Sequence, residues 1–339
     1  MSNTDILKKN ISADDFGRLY FIYGEEAYLR EYYKSQIISA FEKDGFSDFN
    51  ILVCDADSTS AEELEGFFDG LPMMAHRKLL VINDLDIAKL NENMKEKLPK
   101  LLADIPDYLT VMFYYSSSEY KPDKRLTIWK LIDKNGLVCV IERAARSDLV
   151  AWIKRRFKSW NKTISTENAE YLMFLCGDLM VNLISEIEKI ASGTNSDEIQ
   201  KRHIDLLASP TLEAQIFDLG EMVTSKKHKE ALEILDKLIK LRYEPIAINA
   251  VLSKQIGRLY MAKLALNNGK SEDYIAKLCG FKSKYPATLL CKSARKCSLE
   301  WTRKAVKACY QNDLEMKSNI PDNERKLFFL LCSLAQEGK

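Results

Sequence analysis

The 339-residue sequence contains few residues that interrupt regular structure, with 13 glycines and 8 prolines. So few chain breakers favour long elements, mostly helices, and exclude a many-stranded sandwich or barrel with its frequent turns. Histidine is also scarce, and the closest pair of cysteines, Cys291 and Cys297, lies too far apart for a metal-binding CxxC pair. We therefore expect no metal site, and we interpret the cysteines as reduced thiols that serve as small core residues.

An excess of charge is missing as well, because 50 Lys and Arg residues face 49 Asp and Glu residues. This balance excludes a protein held to nucleic acid mainly by its bulk charge. No stretch approaches the ~18 uncharged apolar residues that span a bilayer, and the first ten residues contain no apolar signal core. We therefore expect a cytoplasmic protein that makes no contact with a membrane.

The overall composition and length indicate a folded protein of two or three domains. Hydrophobic residues make up 46% of the chain and charged residues 29%, which is typical of globular proteins. Domains typically contain roughly 100–200 residues, so a chain of 339 residues corresponds to two or three of them. One segment, 282–307, is basic and contains a single acidic residue, Glu300. Its lysines either cover solvated helix faces or touch DNA phosphates, and Tyr285 and Trp301 either pack in a core or stack on a base.

The first part of the chain alternates between two kinds of pattern. Short apolar runs predict strands at 19–23, 50–54, 78–82, 109–115 and 137–141. Amphipathic segments between them predict helices, which is typical of crossover units in a parallel sheet with flanking helices. The continuous apolar run at 79–82 indicates a sheet that is covered on both faces. Residues 1–142 are therefore predicted to form an α/β domain.

The rest of the chain carries only helical patterns. Residues 143–209 predict a small all-α domain, and residues 210–339 predict a larger one. The pair Ser209-Pro210 marks the boundary between them, since proline cannot continue a helix.

A glycine follows the first predicted strand, at the place where a phosphate-binding loop would lie. Such a loop needs G-x-x-x-x-G-K-[ST], whereas Gly24 is followed by Glu25 and Glu26 and by no lysine. Carboxylates in the first turn of the next helix would repel a triphosphate. We therefore predict no nucleotide cofactor. No nucleophile elbow or carboxylate pair is present either, so we predict no catalytic residue.

One turn carries large apolar side chains that are unusual for a turn. Gly70 and Pro72 interrupt the regular structure between a helix and a strand, and Leu71, Met73 and Met74 lie beside them. These side chains either plug the underside of the sheet or form an exposed hook for a partner, and the pattern favours neither alternative.

Dispersed segments of the chain together resemble the delta subunit family of bacterial DNA polymerase III clamp loaders. In order, these segments are LYFIYGEE at 19–26, LPMM at 71–74, LLVIN at 79–83, GDL at 177–179, ISEIEKI at 184–190, EAQIFDL at 213–219, EPI at 244–246 and QIGRL at 255–259. No single segment is diagnostic, but their order and spacing over nearly the whole chain are.

The resemblance implies an AAA+-like module without ATPase activity, a helical lid and a helical collar. The collar of this family joins the gamma/tau and delta prime subunits in a hetero-oligomeric ring, as part of a DNA-directed DNA polymerase holoenzyme. The family binds the sliding clamp (the beta subunit) through an apolar wedge and opens it for loading onto primed DNA during replication. By position, the wedge corresponds to Leu71, Met73 and Met74. The family often has an aromatic at the last position, so the resemblance implies a somewhat different fit.

Two other functions remain open at this point. An active AAA+ NTPase with an aberrant loop would bind ATP at millimolar concentration as an isolated chain. A free-standing DNA-binding adaptor would bind DNA without partners, with an affinity that falls steeply as salt rises.

Overall fold

A computed structural model describes residues 2–56, 58, 60–281, 283–318 and 322–336. The chain divides into two compact units, Met1–Ala145 and Arg146–Lys339, and each is described by itself. The finer division into domains of residues 1–142, 143–209 and 210–339 stays a prediction.

The first unit is an α/β structure. Its strands are β1 (Leu19–Tyr23), β2 (Ile51–Asp55), β3 (Lys78–Asn83), β4 (Leu109–Tyr114) and β5 (Leu137–Val140). Its helices are α1 (Asn3–Ala13), α2 (Ala27–Glu42), α3 (Ser47–Asn50), α4 (Ala61–Asp69), α5 (Glu92–Ala103) and α6 (Thr127–Asn135). The strands pair in parallel in the order β2-β3-β4-β1-β5, which confirms the predicted parallel sheet with flanking helices.

The central strands β1, β3 and β4 are buried on both faces of the sheet, as the apolar runs indicated. Along β1, Leu19, Phe21 and Tyr23 belong to one core and Tyr20 and Ile22 belong to the other. Alternate residues of a strand point to opposite faces, so every residue of this strand is used in packing.

Helices α1 and α6 differ from what the sequence pattern indicates, and so does the start of α2, which is described with the site. Helix α1 is not predicted, because Leu7 is its only fully buried residue and the apolar periodicity is weak. The sequence pattern predicts a helix over residues 122–134, whereas helix α6 begins at Thr127. Just before it, the Asp123 carboxylate accepts a hydrogen bond from the backbone N–H of Arg125 at 3.0 Å. A local bond of this kind competes with the helical pattern and delays the start of the helix.

The second unit consists almost entirely of helices, which confirms the predicted fold class. Its helices are α7 (Arg146–Ser159), α8 (Thr166–Cys176), α9 (Met180–Ser192), α10 (Lys201–Leu207), α11 (Leu212–Thr224), α12 (His228–Lys240), α13 (Pro245–Asn267), α14 (Glu272–Leu278), α15 (Lys284–Lys296), α16 (Leu299–Met316) and α17 (Asn323–Gln336). The pair β6 (Thr163–Ile164) and β7 (Glu198–Ile199) is not predicted, because two residues are too few to show a strand pattern. Among the described residues, no helix is long and apolar enough to cross a membrane.

Candidate functional site

The glycine after β1 makes a close approach between two backbone segments. Gly24 has φ +134°, and a Cβ atom built on it would overlap the backbone of Ile141. The carbonyl of Ile141 accepts a hydrogen bond from the N–H of Glu26 at 3.0 Å, and its N–H donates to the carbonyl of Tyr23 at 2.7 Å. The packing of the chain against the end of β5 therefore accounts for this glycine without a ligand.

The first residue of helix α2 is Ala27, so the helix starts later than the sequence pattern indicates. The prediction that two glutamates lie in its first turn is therefore wrong. Glu26 is the N-cap and accepts a hydrogen bond from the N–H of Tyr28, at 3.3 Å, while Glu25 pairs with Arg143 at 3.4 Å. The Glu26 carboxylate still occupies the positive end of the helix, where a phosphate group would otherwise bind.

A cation of the chain itself lies at the carboxyl end of the sheet. Arg30 of α2 is fully buried, and its guanidinium donates to the carbonyls of three successive residues after β4. These acceptors are Tyr115, Ser116 at 2.9 Å and Ser117 at 3.0 Å. Open α/β sheets bind their ligands at this edge. Here the two terminal nitrogens of Arg30 bind the three carbonyls, while its buried Nε has no hydrogen-bond partner among the described residues.

The aspartate that follows β3 is also used internally. The Asp84 carboxylate accepts hydrogen bonds from the N–H and the hydroxyl of Ser116, at 2.7 and 2.8 Å. Within the described ranges, no group of three or more His, Cys, Asp or Glu side chains is arranged to hold a metal ion.

Residues 70–77, which we call the apolar loop, connect α4 to β3. Unlike the polar groups at the edge of the sheet, the large side chains of this loop are exposed. Leu71 is 76% exposed, Met73 is 47% exposed and Met74 is 79% exposed. The alternative in which these side chains plug the underside of the sheet is therefore wrong. The three residues singled out from the sequence lie together on the surface of one short loop.

The backbone of the apolar loop is held from the side by a buried asparagine. Asn50 is 3% exposed, and its amide oxygen accepts from the N–H of Met73 at 2.7 Å. Its amide nitrogen donates to the carbonyl of the same residue at 2.9 Å. One side chain thus satisfies both backbone groups of Met73 and leaves the methionine side chain free to point outward.

The two ends of the apolar loop are fixed by cations. The buried ammonium of Lys78 donates to the carbonyls of Phe67 and Gly70, at 2.8 and 2.9 Å, and lies 3.8 Å from the centre of the Phe67 ring. Burial lowers the pKa of Lys78 from its ordinary value. Arg77 pairs with Asp44 at 2.6 Å and with Asp14 at 2.9 Å. These contacts tie the loop to the neighbouring elements.

One residue of the apolar loop adopts an unfavourable backbone conformation. Met74 has φ +51°, in the left-handed region that favours glycine. Strained residues persist where the surrounding structure determines them, and they cluster at functional sites. The contacts of Asn50 and Arg77 on either side determine this one.

Sequence reasoning missed the residues that support the apolar loop. Asn50 and Arg77 give no local signal, because their partners lie 23 and 33 residues away in the chain. Lys78 is visible in the sequence as a charged residue at the start of an otherwise apolar strand, and a buried lysine needs hydrogen-bond acceptors nearby.

The basic segment of the second unit makes internal contacts. Trp301 is buried and its indole N–H donates to the carbonyl of Leu334 at 3.2 Å, which favours core packing over base stacking. The ring of Tyr285 packs against those of Tyr171 and Phe174, at 5.6 and 5.3 Å between centres. The first lysine of this segment, Lys282, lies outside the described residues.

Comparisons with known proteins agree over both units. A sequence model of the family "DNA polymerase III, delta subunit" matches residues 20–142, and one of the family's C-terminal domain matches residues 213–334. The chain is 25% identical over 340 residues to DNA polymerase III subunit delta of Bacillus subtilis (strain 168), covering 98% of this chain and 96% of that protein. It is 23% identical over 280 residues to a probable DNA polymerase III subunit delta of Aquifex aeolicus (strain VF5), covering 79% and 77%.

Among solved structures, the chain resembles the DNA clamp loader delta protein of Bacillus subtilis. The TM-score is 0.54 at 22% identity, and the match covers 98% of this chain and 99% of the other. At this level of identity, the similarity shows a shared fold.

Proposed function

The chain belongs to the DNA polymerase III delta subunit family, and from this premise we propose that it acts as the clamp-opening subunit of a clamp loader. In this function it binds the sliding clamp through Leu71, Met73 and Met74. The observation that carries the proposal is the exposure of these three large apolar side chains on a loop whose backbone is held by buried contacts.

The size of the apolar side chains supports a specific contact. A leucine or methionine that becomes fully buried in a partner contributes about 1.5–3 kcal/mol. A few such residues carry most of the binding energy of an interface. Because the loop is held before binding, little conformational entropy is lost when the complex forms. The unbranched methionine side chains adapt to a pocket that also accepts other ligands.

Opening of the clamp follows from differential binding. A ligand shifts an equilibrium between a closed and an open ring only as far as its affinities for the two states differ. A difference of ~4 kcal/mol shifts a two-state balance about 1,000-fold. The proposed subunit favours the open ring by fitting the distorted clamp interface better than the relaxed one. It performs no chemistry itself, and ATP bound by neighbouring subunits controls the accessibility of the loop.

The remaining parts of the proposal concern assembly. Residues 143–209 serve as a lid, and residues 210–339 serve as a collar that joins the gamma/tau and delta prime subunits in a ring around primed DNA. The similarity to bacterial replication proteins supports a cytoplasmic location.

The test replaces Leu71, Met73 and Met74 together with alanine and measures affinity for the purified sliding clamp by equilibrium titration. We expect a loss of at least ~100-fold, which corresponds to about 2.7 kcal/mol spread over three contacts. The unfolding midpoint should stay near that of the wild type, since all three side chains are exposed.

A matched control replaces Tyr32 and Val140 with alanine. Both are exposed apolar residues of the first unit that lie outside the apolar loop. This control should bind the clamp as the wild type does. Undiminished clamp affinity of the folded triple-alanine variant would contradict the proposal.

A further inference from the structure

Exposed apolar surface in the first unit is concentrated in two neighbouring loops. In the described part of this unit, the large apolar residues that are exposed are Tyr32, Phe46, Phe49, Val53, Leu71, Met73, Met74 and Val140. Three of them belong to the apolar loop. Phe46 and Phe49, which are 49% and 60% exposed, belong to residues 44–50. We call this segment the phenylalanine loop, and it includes the one-turn helix α3.

Both ends of the phenylalanine loop are joined to the apolar loop. At one end, Asn50 makes two hydrogen bonds to the backbone of Met73. At the other end, the carboxylate of Asp44 pairs with Arg77. The chain therefore runs in opposite directions along the two loops. These two connections are four residues apart in the apolar loop, which places them within ~14 Å of each other.

Each loop holds an exposed apolar residue in the left-handed backbone region. The φ angle is +52° at Phe46 and +51° at Met74. The carbonyl of Phe46 accepts hydrogen bonds from the N–H groups of Phe49 and Asn50, at 3.0 and 3.1 Å. The polar backbone groups of the turn are thus used within the chain, and the phenyl rings are left on the outside. Strain of this kind concentrates at functional sites.

We propose that Phe46 and Phe49 of the phenylalanine loop form a second contact with the sliding clamp, beside the contact made by the apolar loop. The inference rests on the proposed function, since it assigns the same partner to a loop that is joined directly to the apolar loop. Continuity selects this partner: an interface of ordinary size buries about 800 Å² on each side, which is wide enough to include both loops. In this assignment Asn50 and Asp44 are positioning residues that hold the two loops side by side.

The test uses two variants of the full chain, Phe46→Gly and Phe49→Ala. Phe46→Gly removes a phenyl ring and also relieves the left-handed strain, so it leaves the fold intact. Equilibrium titration with the purified sliding clamp should show a loss of about 10-fold for each variant. Tyr32→Ala is the matched control, since it removes an aromatic ring of similar exposure from α2, outside both loops, and it should leave the affinity unchanged.

A photocrosslinking arm makes the test independent of folding energy. A benzoylphenylalanine at position 49 should crosslink to the clamp, and the same group at position 32 should not. Wild-type affinity of both phenylalanine variants, with loss of binding in the triple-alanine variant, overturns this inference and leaves the proposed function standing. Failure of the wild-type chain to bind the clamp overturns both. Crosslinking of position 49 only to a second copy of this chain also overturns the inference.

Discussion

The carboxyl edge of the sheet and the apolar loop differ in what they leave exposed to a partner. At the edge, the buried Arg30 binds three backbone carbonyls, and Glu26 caps the helix at which a phosphate would bind. In the apolar loop, Asn50 and Lys78 satisfy the backbone, while Leu71, Met73 and Met74 are exposed. At the edge most polar groups are bound by the chain itself, and only atoms such as Arg30 Nε and Asn83 Oδ1 have no partner within the described part of the chain. The loop, in contrast, leaves apolar surface uncovered.

This difference indicates where a partner is to be sought. A polar site whose groups already bind each other gains little from a ligand, because each new hydrogen bond replaces an existing one. An exposed apolar side chain gains hydrophobic free energy when a partner buries it, and a fixed backbone loses little entropy on binding. The comparison predicts that substitutions at the edge change stability and that substitutions in the loop change binding.

The largest effect on stability is expected for Arg30→Met. This variant keeps most of the side-chain volume but leaves three carbonyls without their buried donor, at a cost of about 3–5 kcal/mol in the free energy of unfolding. Urea unfolding measures the loss. Arg30→Lys keeps the charge with fewer donors and should lose less. The comparison fails if Arg30→Met unfolds like the wild type, since the edge would then not depend on this arginine.

A smaller effect is expected for Asn50→Ala, which removes both hydrogen bonds to Met73. We predict a loss of about 1–3 kcal/mol in the free energy of unfolding. Clamp affinity should fall several-fold, because the apolar loop is then no longer held before binding. Asn50→Asp keeps the acceptor but places an unpaired buried carboxylate against the Met73 carbonyl, so it should not recover the lost stability. Unchanged affinity in Asn50→Ala would show that the loop does not need to be held.

The smallest effect on stability is expected for Met74→Gly. Glycine adopts the left-handed conformation at φ +51° without strain, which offsets the larger backbone entropy of the unfolded glycine. The thermal unfolding midpoint should therefore change by no more than about 2 °C. Clamp affinity should nevertheless fall, since a side chain that is 79% exposed is lost from the contact. A lowered midpoint together with wild-type affinity would contradict the comparison, because Met74 would then serve stability and not binding.

The parts of the fold that local patterns determine could be predicted from the sequence. Helix α13 begins at Pro245 and ends just before the Asn268-Gly269 pair, and both are local start and stop signals that can be seen in the sequence. The central strands β3 and β4 are visible in the sequence because they are buried on both faces of the sheet, which makes their apolar runs continuous. Helix α1 was missed because its sequence is polar and only Leu7 is fully buried.

The site could be predicted only in part. Leu71, Met73 and Met74 were identified because large apolar residues beside Gly70 and Pro72 are unusual in a turn. Whether they point inward or outward could not be decided, because that depends on Asn50, which lies 23 residues away. The phenylalanine loop was missed for the same reason, since only the paired loops bring Phe46 and Phe49 near the methionines.

The most direct test of the central claim is the heat-capacity change when the full chain binds the sliding clamp, measured by calorimetric titration at several temperatures. Burial of apolar surface makes this change negative. The account predicts a clearly negative value for the wild type that becomes smaller in magnitude when Leu71 and Met74 are replaced by alanine. A value near zero for the wild type, with an affinity that falls steeply as salt rises, would contradict it.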